Sequence, residues 1–522
     1  MGNFAYGTDS VPTATQGTED ETRPAWAPPL DSFESFVVLS NRQPYRHTYG
    51  RDGDIEVDRP TGGLTAALDP VLQRVGGTWI AWGDGSADRA VVDENDRVSV
   101  PPEDPAYDVE RVWIDDELKE AYYNGYSNRV LWPLCHGVRD AISIRTGDYD
   151  GYRAVNERFA DRVAAHATAE TLVWLQDYHL ALAPAMISDR VPSSTTIGQF
   201  WHIPWPKPEL FSRCPEGREI LDGLLGNDVL AFHVDRFVDR FLRCVRYFVD
   251  GASVDAEAGI VTYEGSETHV RAIPLGIDAS EHEERGHAAD ETVFESVTET
   301  LSIPTTEHLG LGVDRLDYSK GIVARLDAIE ELFENQPRWL ESFTFVQTAT
   351  PSRTDIPAYA SYGDAVRQRV ERINDRFGTD SWRPIVYSEA YLTRDQLSAL
   401  YRHADLMLVT SRCDGMNLVS KEYLAASVDE SGSLCLSERA GAHDELGDDA
   451  FSVDPTDVES IWRTIDRALT TPDADRRRRM RRLRARVFER PLEWWMAAQF
   501  DAFAERSSDR SVLPTQYSGD GV

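Results

Sequence analysis

Short apolar runs alternate along this chain with amphipathic stretches of helical length, and this alternation is the strongest constraint on its fold. Apolar runs bounded by turn residues predict buried strands, and their alternation with helices predicts βα units and parallel sheets. The predicted strands form two series. The first comprises residues 36–40, 171–175, 196–200, 229–232 and 270–273. The second comprises residues 309–313, 343–348, 385–388, 406–410 and 434–436.

These two series predict an α/β protein with two doubly wound, Rossmann-like domains and an active site in the cleft between them. We expect the first domain to cover residues 34–275 and to be completed by a helix at about residues 490–508. The second domain is expected over residues 276–489. Residues 1–33 and 509–522 lack periodicity and are predicted to be a disordered leader and tail.

The charge of the chain excludes two classes of partner. Its 522 residues include 89 acidic and 54 basic residues, which gives a net charge of −35 at pH 7. Such a surface repels nucleic acid and anionic membranes, so neither is an expected partner. Only four of the basic residues are lysine: Lys119, Lys207, Lys320 and Lys421. An acidic surface with so little lysine indicates adaptation to molar salt and predicts a halophilic source.

Cysteine spacing and hydropathy set further limits. The five cysteines, at 135, 214, 244, 413 and 435, form no C-x-x-C pair and no metal-ligand spacing, so we expect neither a disulfide framework nor a metal site. No apolar run approaches the ~18–20 residues of a membrane span. The N-terminus also lacks the basic and apolar regions of a signal peptide, and a cytoplasmic protein is predicted.

Two cations follow the first strand of the second series. Arg315 and Lys320 lie five residues apart in the loop after that strand, in the segment V-D-R-L-D-Y-S-K-G. A guanidinium and an ammonium at this spacing can neutralise a diphosphate from two directions. Taken alone, an Arg/Lys pair more often forms surface salt bridges.

A second segment, T-S-R-C-D-G-M-N-L-V-S-K-E, leads from a strand through a turn into a helix. Backbone N–H groups at a helix start suit phosphate oxygens. Asp414 could accept hydrogen bonds from sugar hydroxyls, and Glu422 could accept them from ribose hydroxyls. The alternative for Glu422 is an ion-pair partner on a solvated helix.

Other candidate residues also follow strands or lie in aromatic segments. Gly62 and Gly63 could allow close approach of the backbone to a phosphate, although most such pairs are only turns. Aromatic rings beside acidic and histidine side chains suit sugar recognition, although each ring could equally belong to a core. The remaining candidates are Arg42, Tyr123, Trp132, Asp177, His202 and Arg353.

An arginine-rich stretch lies near the C-terminus. Residues 476–490 contain nine arginines. We interpret this stretch as a solvated helix whose arginines pair with the acidic surface. The alternative is a subunit contact.

Together these segments resemble those of the trehalose-6-phosphate synthases, a family of retaining glycosyltransferases with two Rossmann domains (GT-B type). The resemblance runs in order from about Phe36 to about Phe503. The shared motifs are S-N-R, G-G-L, Y-Y-N…L-W-P, D-Y-H, H-I-P, R-L-D-Y-S-K-G, P-S-R and D-G-M-N-L-V-x-K-E-Y. Each motif is weak alone, but the ordered set is specific.

The resemblance implies transfer of glucose from a nucleotide sugar, typically UDP-glucose, to glucose 6-phosphate. The first domain would then hold the acceptor and the second the nucleotide sugar, with no cofactor and no required metal. The implied catalytic residues are Arg315, Lys320, His202 and Asp414. The implied donor-binding residues are Gly62, Gly63, Arg315, Lys320, Asp414, Gly415, Met416, Asn417, Leu418, Val419 and Glu422. The implied acceptor-binding residues are Arg42, Tyr123, Trp132, Asp177 and Arg353.

Four positions depart from the family pattern: Gln176 in place of His, Asp314 in place of Glu, Cys413 in place of Arg and Trp205 in place of Phe. None removes a matched catalytic group. A glucosylglycerol-phosphate synthase that uses glycerol 3-phosphate and a non-catalytic sugar-phosphate sensor stay open as alternatives. The sequence leaves the donor base (UDP, GDP or ADP) and the oligomeric state undecided, a homo-oligomer being possible.

Overall fold

The computed structural model describes residues 33–59 and 63–512 of the chain. The predicted leader lies outside this part except for Phe33, which is buried. The tail is predicted from residue 509, but the last helix continues to Val512, and residues 513–522 lie outside the described part.

The first half of the chain builds one large sheet and a hairpin. Its strands are β1 (Ser35–Ser40), β2 (Arg46–Tyr49), β3 (Ile55–Asp58), β4 (Thr78–Trp82), β5 (Arg97–Val100), β6 (Tyr107–Val112), β7 (Thr171–Gln176), β8 (Thr196–Phe200), β9 (Val229–Phe232), β10 (Ser253–Asp255), β11 (Ile260–Tyr263) and β12 (Ser266–Ala272). Its helices are α1 (Gly63–Val75), α2 (Asp88–Val91), α3 (Asp116–Lys119), α4 (Trp132–Cys135), α5 (Asp148–Ala164), α6 (Ala183–Ser188), α7 (Pro208–Phe211), α8 (Gly217–Leu224) and α9 (Asp235–Phe248), with a π-helical segment over Glu120–Leu131. Single 3-10 turns cover Arg139–Ala141 and Tyr178–Leu180.

The second half builds a smaller sheet. Its strands are β13 (His308–Leu316), β14 (Phe343–Pro351), β15 (Ile385–Ser388), β16 (Leu406–Val409), β17 (Ser433–Ser437) and β18 (Phe451–Val453). Its helices are α10 (Ala279–Ala288), α11 (Glu291–Leu301), α12 (Ile322–Asn335), α13 (Pro357–Phe377), α14 (Arg394–His403), α15 (Leu418–Ala426), α16 (His443–Leu446), α17 (Val458–Leu469), α18 (Asp473–Glu489) and α19 (Leu492–Val512). Single 3-10 turns cover Tyr318–Lys320 and Pro337–Trp339.

Both sheets are built around parallel strands. The larger has the order β10-β11-β12-β9-β8-β7-β1-β4-β6-β5, in which β5, β10 and β11 pair antiparallel. The smaller has the order β15-β14-β13-β16-β17-β18, and all its pairs are parallel. Strands covered by helices on both faces are continuously apolar, as in β7, where every residue is buried. The expected α/β class is therefore confirmed.

Each of the ten predicted strands overlaps an observed one, but eight strands observed in the described residues have no predicted counterpart, among them β4 and β6 in the large sheet. Charges interrupt the apolar pattern of β6 at Asp108, Glu110 and Arg111. Glu110 is nevertheless 2% exposed, because Arg97 (3.0 Å) and His166 (2.7 Å) donate to its carboxylate. Such pairing is set by other elements and cannot be read from the strand itself.

The last helix packs on the first sheet, although it follows the second sheet in sequence. The ring centroids of Trp495 and Trp174 are 5.6 Å apart. A Cβ on Gly198 would lie 2.1 Å from the ring of Phe503, so only glycine fits beneath this helix. The predicted domain boundary at residues 275 and 276 lies in the loop between β12 and α10.

The arginine-rich stretch forms most of α18, and its side chains pair with acidic groups. Ion pairs join Arg476 to Asp473, Arg478 to Asp475, Arg481 to Glu430, Arg482 to Asp449, Arg484 to Glu283, Arg486 to Asp448 and Arg490 to Glu445. The expected pairing with acidic groups is observed, but Arg484 is buried rather than solvated. Across residues 33–59 and 63–512, no helix is both long and apolar enough to cross a membrane.

Candidate functional site

A cavity of about 420 Å³, here called the central cavity, lies where the carboxyl ends of the parallel strands of both sheets meet. Residues after β1, β7 and β8 line one side, and residues after β13, β14 and β16 line the other. Polar groups that are far apart in sequence converge because most lie at or just beyond the carboxyl end of a strand. Arg315, predicted in the loop after its strand, is the penultimate residue of β13. The lining residues named in the sequence analysis are Arg42, Tyr123, Trp132, Gln176, Asp177, His202, Arg315, Lys320, Arg353, Asp414, Met416, Asn417, Leu418, Val419 and Glu422.

The remaining three predicted site residues are glycines. Gly62 lies outside the described residues, and Gly63 begins α1. Gly415 packs beneath the lining, where a Cβ would lie 2.0 Å from the backbone oxygen of His202. Glycine is therefore required at 415 to let the loop after β16 contact the first half of the chain.

Three guanidinium groups gather at one end of the central cavity. Arg353 lies 4.0 Å and Arg315 lies 5.4 Å above the ring of Trp132. Arg42 opens onto the cavity, yet the surrounding protein desolvates it, and this desolvation together with the Arg315 charge lowers its pKa. Burial alone would raise the pKa of Tyr123, but the charges of Arg353 and Arg42 lower it below its ordinary value. This end of the cavity is suited to an anion.

Arg353 is held in place by polar contacts from both halves of the chain. It donates to Tyr359 Oη (2.7 Å) and to Tyr178 Oη (3.3 Å), and it pairs with Asp317 (3.4 Å). Its φ of 52° is unusual for a residue other than glycine. Backbone strain of this kind is maintained only where the surroundings determine it, and it is common at functional sites.

A tight ion pair marks the other end of the central cavity. Lys320 Nζ donates to Asp414 Oδ2 at 2.6 Å, and each side chain is 14% exposed. Ser411 Oγ (3.1 Å) and Asn417 Nδ2 (3.3 Å) donate to the same oxygen. Burial alone would raise the pKa of Asp414, but Lys320 outweighs it and holds that pKa well below its ordinary value. Asp414 is thus a carboxylate at neutral pH.

His202 is held as a neutral ring. Burial, with a smaller contribution from the charge of His233, lowers its pKa well below the ordinary value. Its Nε2 lies 2.9 Å from Gln176 Oε1. With the amide in this orientation the oxygen only accepts, so Nε2 carries the proton and Nδ1 is the acceptor. The Nε2 amide of Gln176 is buried and has no partner among the described residues. One departure from the family pattern thus sets the tautomer of a predicted site residue.

Asp177 adopts a left-handed backbone with a φ of 70°. Burial raises the pKa of its carboxyl to about 6. The backbone N–H of His202 donates to its Oδ1 at 3.3 Å, which orients the carboxyl at the cavity wall.

A second cavity of about 500 Å³, here called the outer cavity, adjoins the central one. Leu418 and Glu422 line both cavities. Tyr401 Oη donates to Glu422 Oε2 at 3.0 Å, and burial, then the Glu422 charge, raises the pKa of Tyr401 well above its ordinary value. Glu422 therefore does not act as an ion-pair partner on a solvated helix.

Comparison with known proteins agrees with this geometry. The model of glycosyltransferase family 20 matches residues 34–505. The chain belongs to glycosyltransferase family 20. Among similar proteins of this family, the trehalose-6-phosphate synthase of Mycolicibacterium vanbaalenii is 36% identical over 478 residues, which cover 90% of this chain and 96% of that protein. The trehalose-6-phosphate synthase of Mycobacterium sp. strain KMS is 37% identical over 478 residues, which cover 90% of this chain and 95% of that protein.

Solved structures show the family 20 fold at similar coverage. The UDP-forming α,α-trehalose-phosphate synthase from Burkholderia vietnamiensis superposes with a TM-score of 0.81 at 29% identity, covering 92% of this chain and 98% of that one. The enzyme from Burkholderia xenovorans in complex with glucose 6-phosphate superposes with a TM-score of 0.78 at 29% identity, covering 90% of this chain and 99% of that one. The E. coli protein bound with UDP-2-fluoro glucose superposes with a TM-score of 0.80 at 28% identity, covering 90% of this chain and 99% of that one. The expected GT-B fold with two Rossmann-like domains is confirmed.

Sequence reasoning missed several groups at this family 20 site. His136 lines the central cavity, its Nδ1 lies 2.8 Å from the backbone oxygen of Trp132, and burial lowers its pKa to about 4. His179 stacks on Tyr123 with ring centroids 5.8 Å apart. The only available signal was proximity in sequence to predicted site residues, because His136 follows Trp132 by one helical turn and His179 ends the D-Y-H motif.

Among the described residues, no group of His, Cys, Asp and Glu is arranged to hold a metal ion.

Proposed function

We propose that this family 20 chain is an α,α-trehalose-phosphate synthase that transfers glucose from UDP-glucose to glucose 6-phosphate with retention of configuration. The observation that carries the proposal is a single cavity with three guanidiniums at one end and the Lys320–Asp414 pair at the other. This arrangement suits an acceptor phosphate at one end and a sugar diphosphate at the other. The related proteins with the same printed activity support the same assignment.

The acceptor occupies the arginine end in this proposal. Arg42 and Arg353 bind the phosphate of glucose 6-phosphate, with Tyr123 and Trp132 forming the wall beside them. Asp177 accepts a hydrogen bond from a sugar hydroxyl when its carboxyl is ionised. The left-handed backbone at Asp177 and Arg353 supports the assignment, because strained residues are common at ligand sites.

The donor occupies the opposite end and extends into the outer cavity. Asp414 accepts hydrogen bonds from the transferred glucose. Lys320 binds the diphosphate, and Arg315 reaches the diphosphate from the arginine end. Glu422 binds the ribose hydroxyls, and its position at the junction of both cavities supports this role. The donor-binding set also contains Gly62, Gly63, Gly415, Met416, Asn417, Leu418 and Val419.

The chemistry that we propose is a front-face displacement. The bond between the anomeric carbon of glucose and the diphosphate oxygen breaks, and the anomeric hydroxyl oxygen of the acceptor bonds to that carbon from the same face. Its proton passes to the leaving phosphate oxygen, so the products are trehalose 6-phosphate and UDP. Arg315 and Lys320 stabilise the charge that develops on the leaving group. Neutral His202 accepts a hydrogen bond from the transferred sugar through Nδ1.

No metal or cofactor enters this proposal, because Arg315 and Lys320 supply the positive charge at the diphosphate. A cytoplasmic location, adaptation to molar salt and a homo-oligomer stay predictions. The donor base is proposed as uracil, and an adenine or guanine donor is an alternative that the experiment below decides.

The test is nucleotide release by the purified protein over a KCl series, crossing UDP-, GDP- and ADP-glucose with glucose 6-phosphate and glycerol 3-phosphate. We expect turnover with UDP-glucose and glucose 6-phosphate, and NMR should show an α,α-linked product. Lys320→Met provides the low-activity reference, and Arg139→Ala, at an exposed arginine away from the cavity, provides the matched control. Turnover with glycerol 3-phosphate alone would identify the sister activity. Binding of both substrates without turnover at any salt concentration would identify a sensor.

A further inference from the structure

A third cavity, of about 360 Å³, lies beyond the carboxyl ends of β4 and β6 in the first sheet. We call it the side pocket. Residues from the loops after both strands, from the hairpin strand β2 and from the short helices α2 and α3 line it. Its volume lies near the lower end of the range of ~300–1,000 Å³ for small-molecule pockets, which suits a compact ligand.

Three cations line the side pocket: Arg46, Arg89 and Lys119. In the described ranges 33–59 and 63–512, neither Arg89 nor Lys119 forms an ion pair with a carboxylate. Arg46 approaches Asp84 at 3.5 Å, but Gln43 already donates to the same oxygen at 2.6 Å, and the buried Nε of Arg46 has no hydrogen-bond partner in the described part of the chain. Arg89 and Lys119 therefore present positive charge without an ion-pair partner, beside the carboxylates of Asp84 and Asp116, in a chain whose net charge is −35.

Two tryptophans form rigid walls of the side pocket. The guanidinium of Arg89 lies 4.0 Å above the ring of Trp113, and Trp113 Nε1 donates to Asp96 Oδ1 at 2.7 Å. A Cβ on Gly83 would lie 2.5 Å from the Trp113 ring, so this wall needs glycine at its base. Trp82 separates the side pocket from the central cavity, since its ring centroid lies 5.8 Å from that of Tyr123.

The side pocket repeats the chemistry of the arginine end of the central cavity. Both combine guanidiniums for an anion, aromatic faces for a sugar ring and a carboxylate for hydroxyls; Asp84 and Asp116 supply the carboxylates here. We propose that the side pocket binds a second phosphorylated sugar. Arg89, Lys119 and Arg46 hold its phosphate, and Trp82 and Trp113 flank its ring. The lysine at 119, one of only four in the chain, acquires a role in this proposal.

The experiment is equilibrium dialysis of labelled glucose 6-phosphate at one fixed ionic strength, so the result does not depend on turnover. Wild-type protein should bind two molecules per chain. Arg42→Ala and Arg89→Glu/Lys119→Glu should each bind one, and the combined variant should bind none. Arg139→Ala should bind two, as the matched control at an exposed arginine. Circular dichroism checks that each variant is folded.

Two outcomes overturn the proposal. The first is a wild-type stoichiometry of one that Arg42→Ala abolishes, because all binding then belongs to the central cavity. The second outcome concerns recognition of the sugar. It is measured with the Arg42→Ala variant, in which only the side pocket binds, by competition between labelled glucose 6-phosphate and inorganic phosphate. Glucose 6-phosphate should bind there at least tenfold more tightly than phosphate. Equal affinities would show that only an anion is recognised.

Discussion

Replacing Lys320 by methionine tests stability and chemistry at the same atom pair. The ammonium lies 2.6 Å from Asp414 Oδ2, and both side chains are 14% exposed. Removal of one partner of a buried pair costs about 3–5 kcal/mol, because it leaves an uncompensated charge. Ser411 and Asn417 still donate to Asp414, so we expect the lower end, about 3 kcal/mol. For a domain of ~200 residues this corresponds to a decrease in Tm of about 6–12 °C.

The double variant separates the two roles of Lys320. Lys320→Met/Asp414→Asn leaves no unpaired charge, so it should recover most of the lost Tm relative to Lys320→Met. It should not recover activity, because loss of one preorganised donor to the leaving group reduces kcat by about 10²–10³. The assays are thermal unfolding followed by circular dichroism and nucleotide release at saturating substrates. A Tm of Lys320→Met equal to wild type, or a double variant no more stable than Lys320→Met, would refute the reasoning.

The pH dependence gives a second check on the same pair. The pKa of Asp414 is lowered in the folded protein, so the pair contributes stability above the ordinary pKa of about 4 and loses it as the pH falls through the folded value. The difference in Tm between wild type and Lys320→Met should therefore be largest near pH 7 and should shrink below about pH 4. A difference that stays constant down to pH 3 would exclude Asp414 as the source.

The other predictions concern single groups and the surface. Arg42→Ala should raise the KM for glucose 6-phosphate at least tenfold and leave that for UDP-glucose near wild type, and steady-state kinetics with the reverse pattern would contradict the acceptor assignment. Tyr401→Phe should raise the KM for UDP-glucose about tenfold, because Tyr401 holds the carboxylate of Glu422 that binds the ribose. The KM for 2′-deoxy-UDP-glucose should barely change, because that donor lacks the ribose 2′-hydroxyl. Tyr423→Phe is the matched control, since that hydroxyl bonds the backbone oxygens of Ala404 and Ser433 and Tyr423 lines neither cavity. The pKa of Asp177 is raised to about 6, so kcat/KM for the acceptor should fall below pH 6 as the carboxyl is protonated, and a profile still falling in Asp177→Asn would assign the titration elsewhere. Finally, activity should increase with KCl up to molar concentrations, because salt screens the net charge of −35, and full activity in dilute buffer would contradict the predicted salt adaptation.

Much of the fold followed from local pattern. Strands such as β1 and β7 are buried on both faces, so each carries a continuous apolar run that can be recognised without any knowledge of its neighbours. Strand β6 could not be recognised in this way, because Glu110 is buried only through donors from β5 and α5. Its pattern is that of a polar segment until those partners are in place.

The candidate site shows the same division. Arg315, Lys320 and Asp414 were identified because charged residues follow strands, and strand ends of parallel sheets meet at one edge. Their pairing was not foreseen, because Lys320 and Asp414 are 94 residues apart and only the fold brings them to 2.6 Å. The side pocket went unnoticed for a similar reason, since it needs β4 and β6 as neighbours and neither strand was predicted.

The sequence by itself determined the alternation of strands and helices, the acidic surface and the identity of the residues that follow each strand. These are local properties, set by apolar periodicity and by composition. Tertiary structure alone decided which charges are paired and which are free. Lys421 shows the difference. Its own helix gives no indication of a partner, but in the fold its ammonium donates to the backbone oxygen of Leu275 at 2.8 Å and pairs with Glu445 at 2.6 Å. The physical reason is that the energy of a charge depends on its desolvation and on partners within a few ångströms, and both depend on distant parts of the chain.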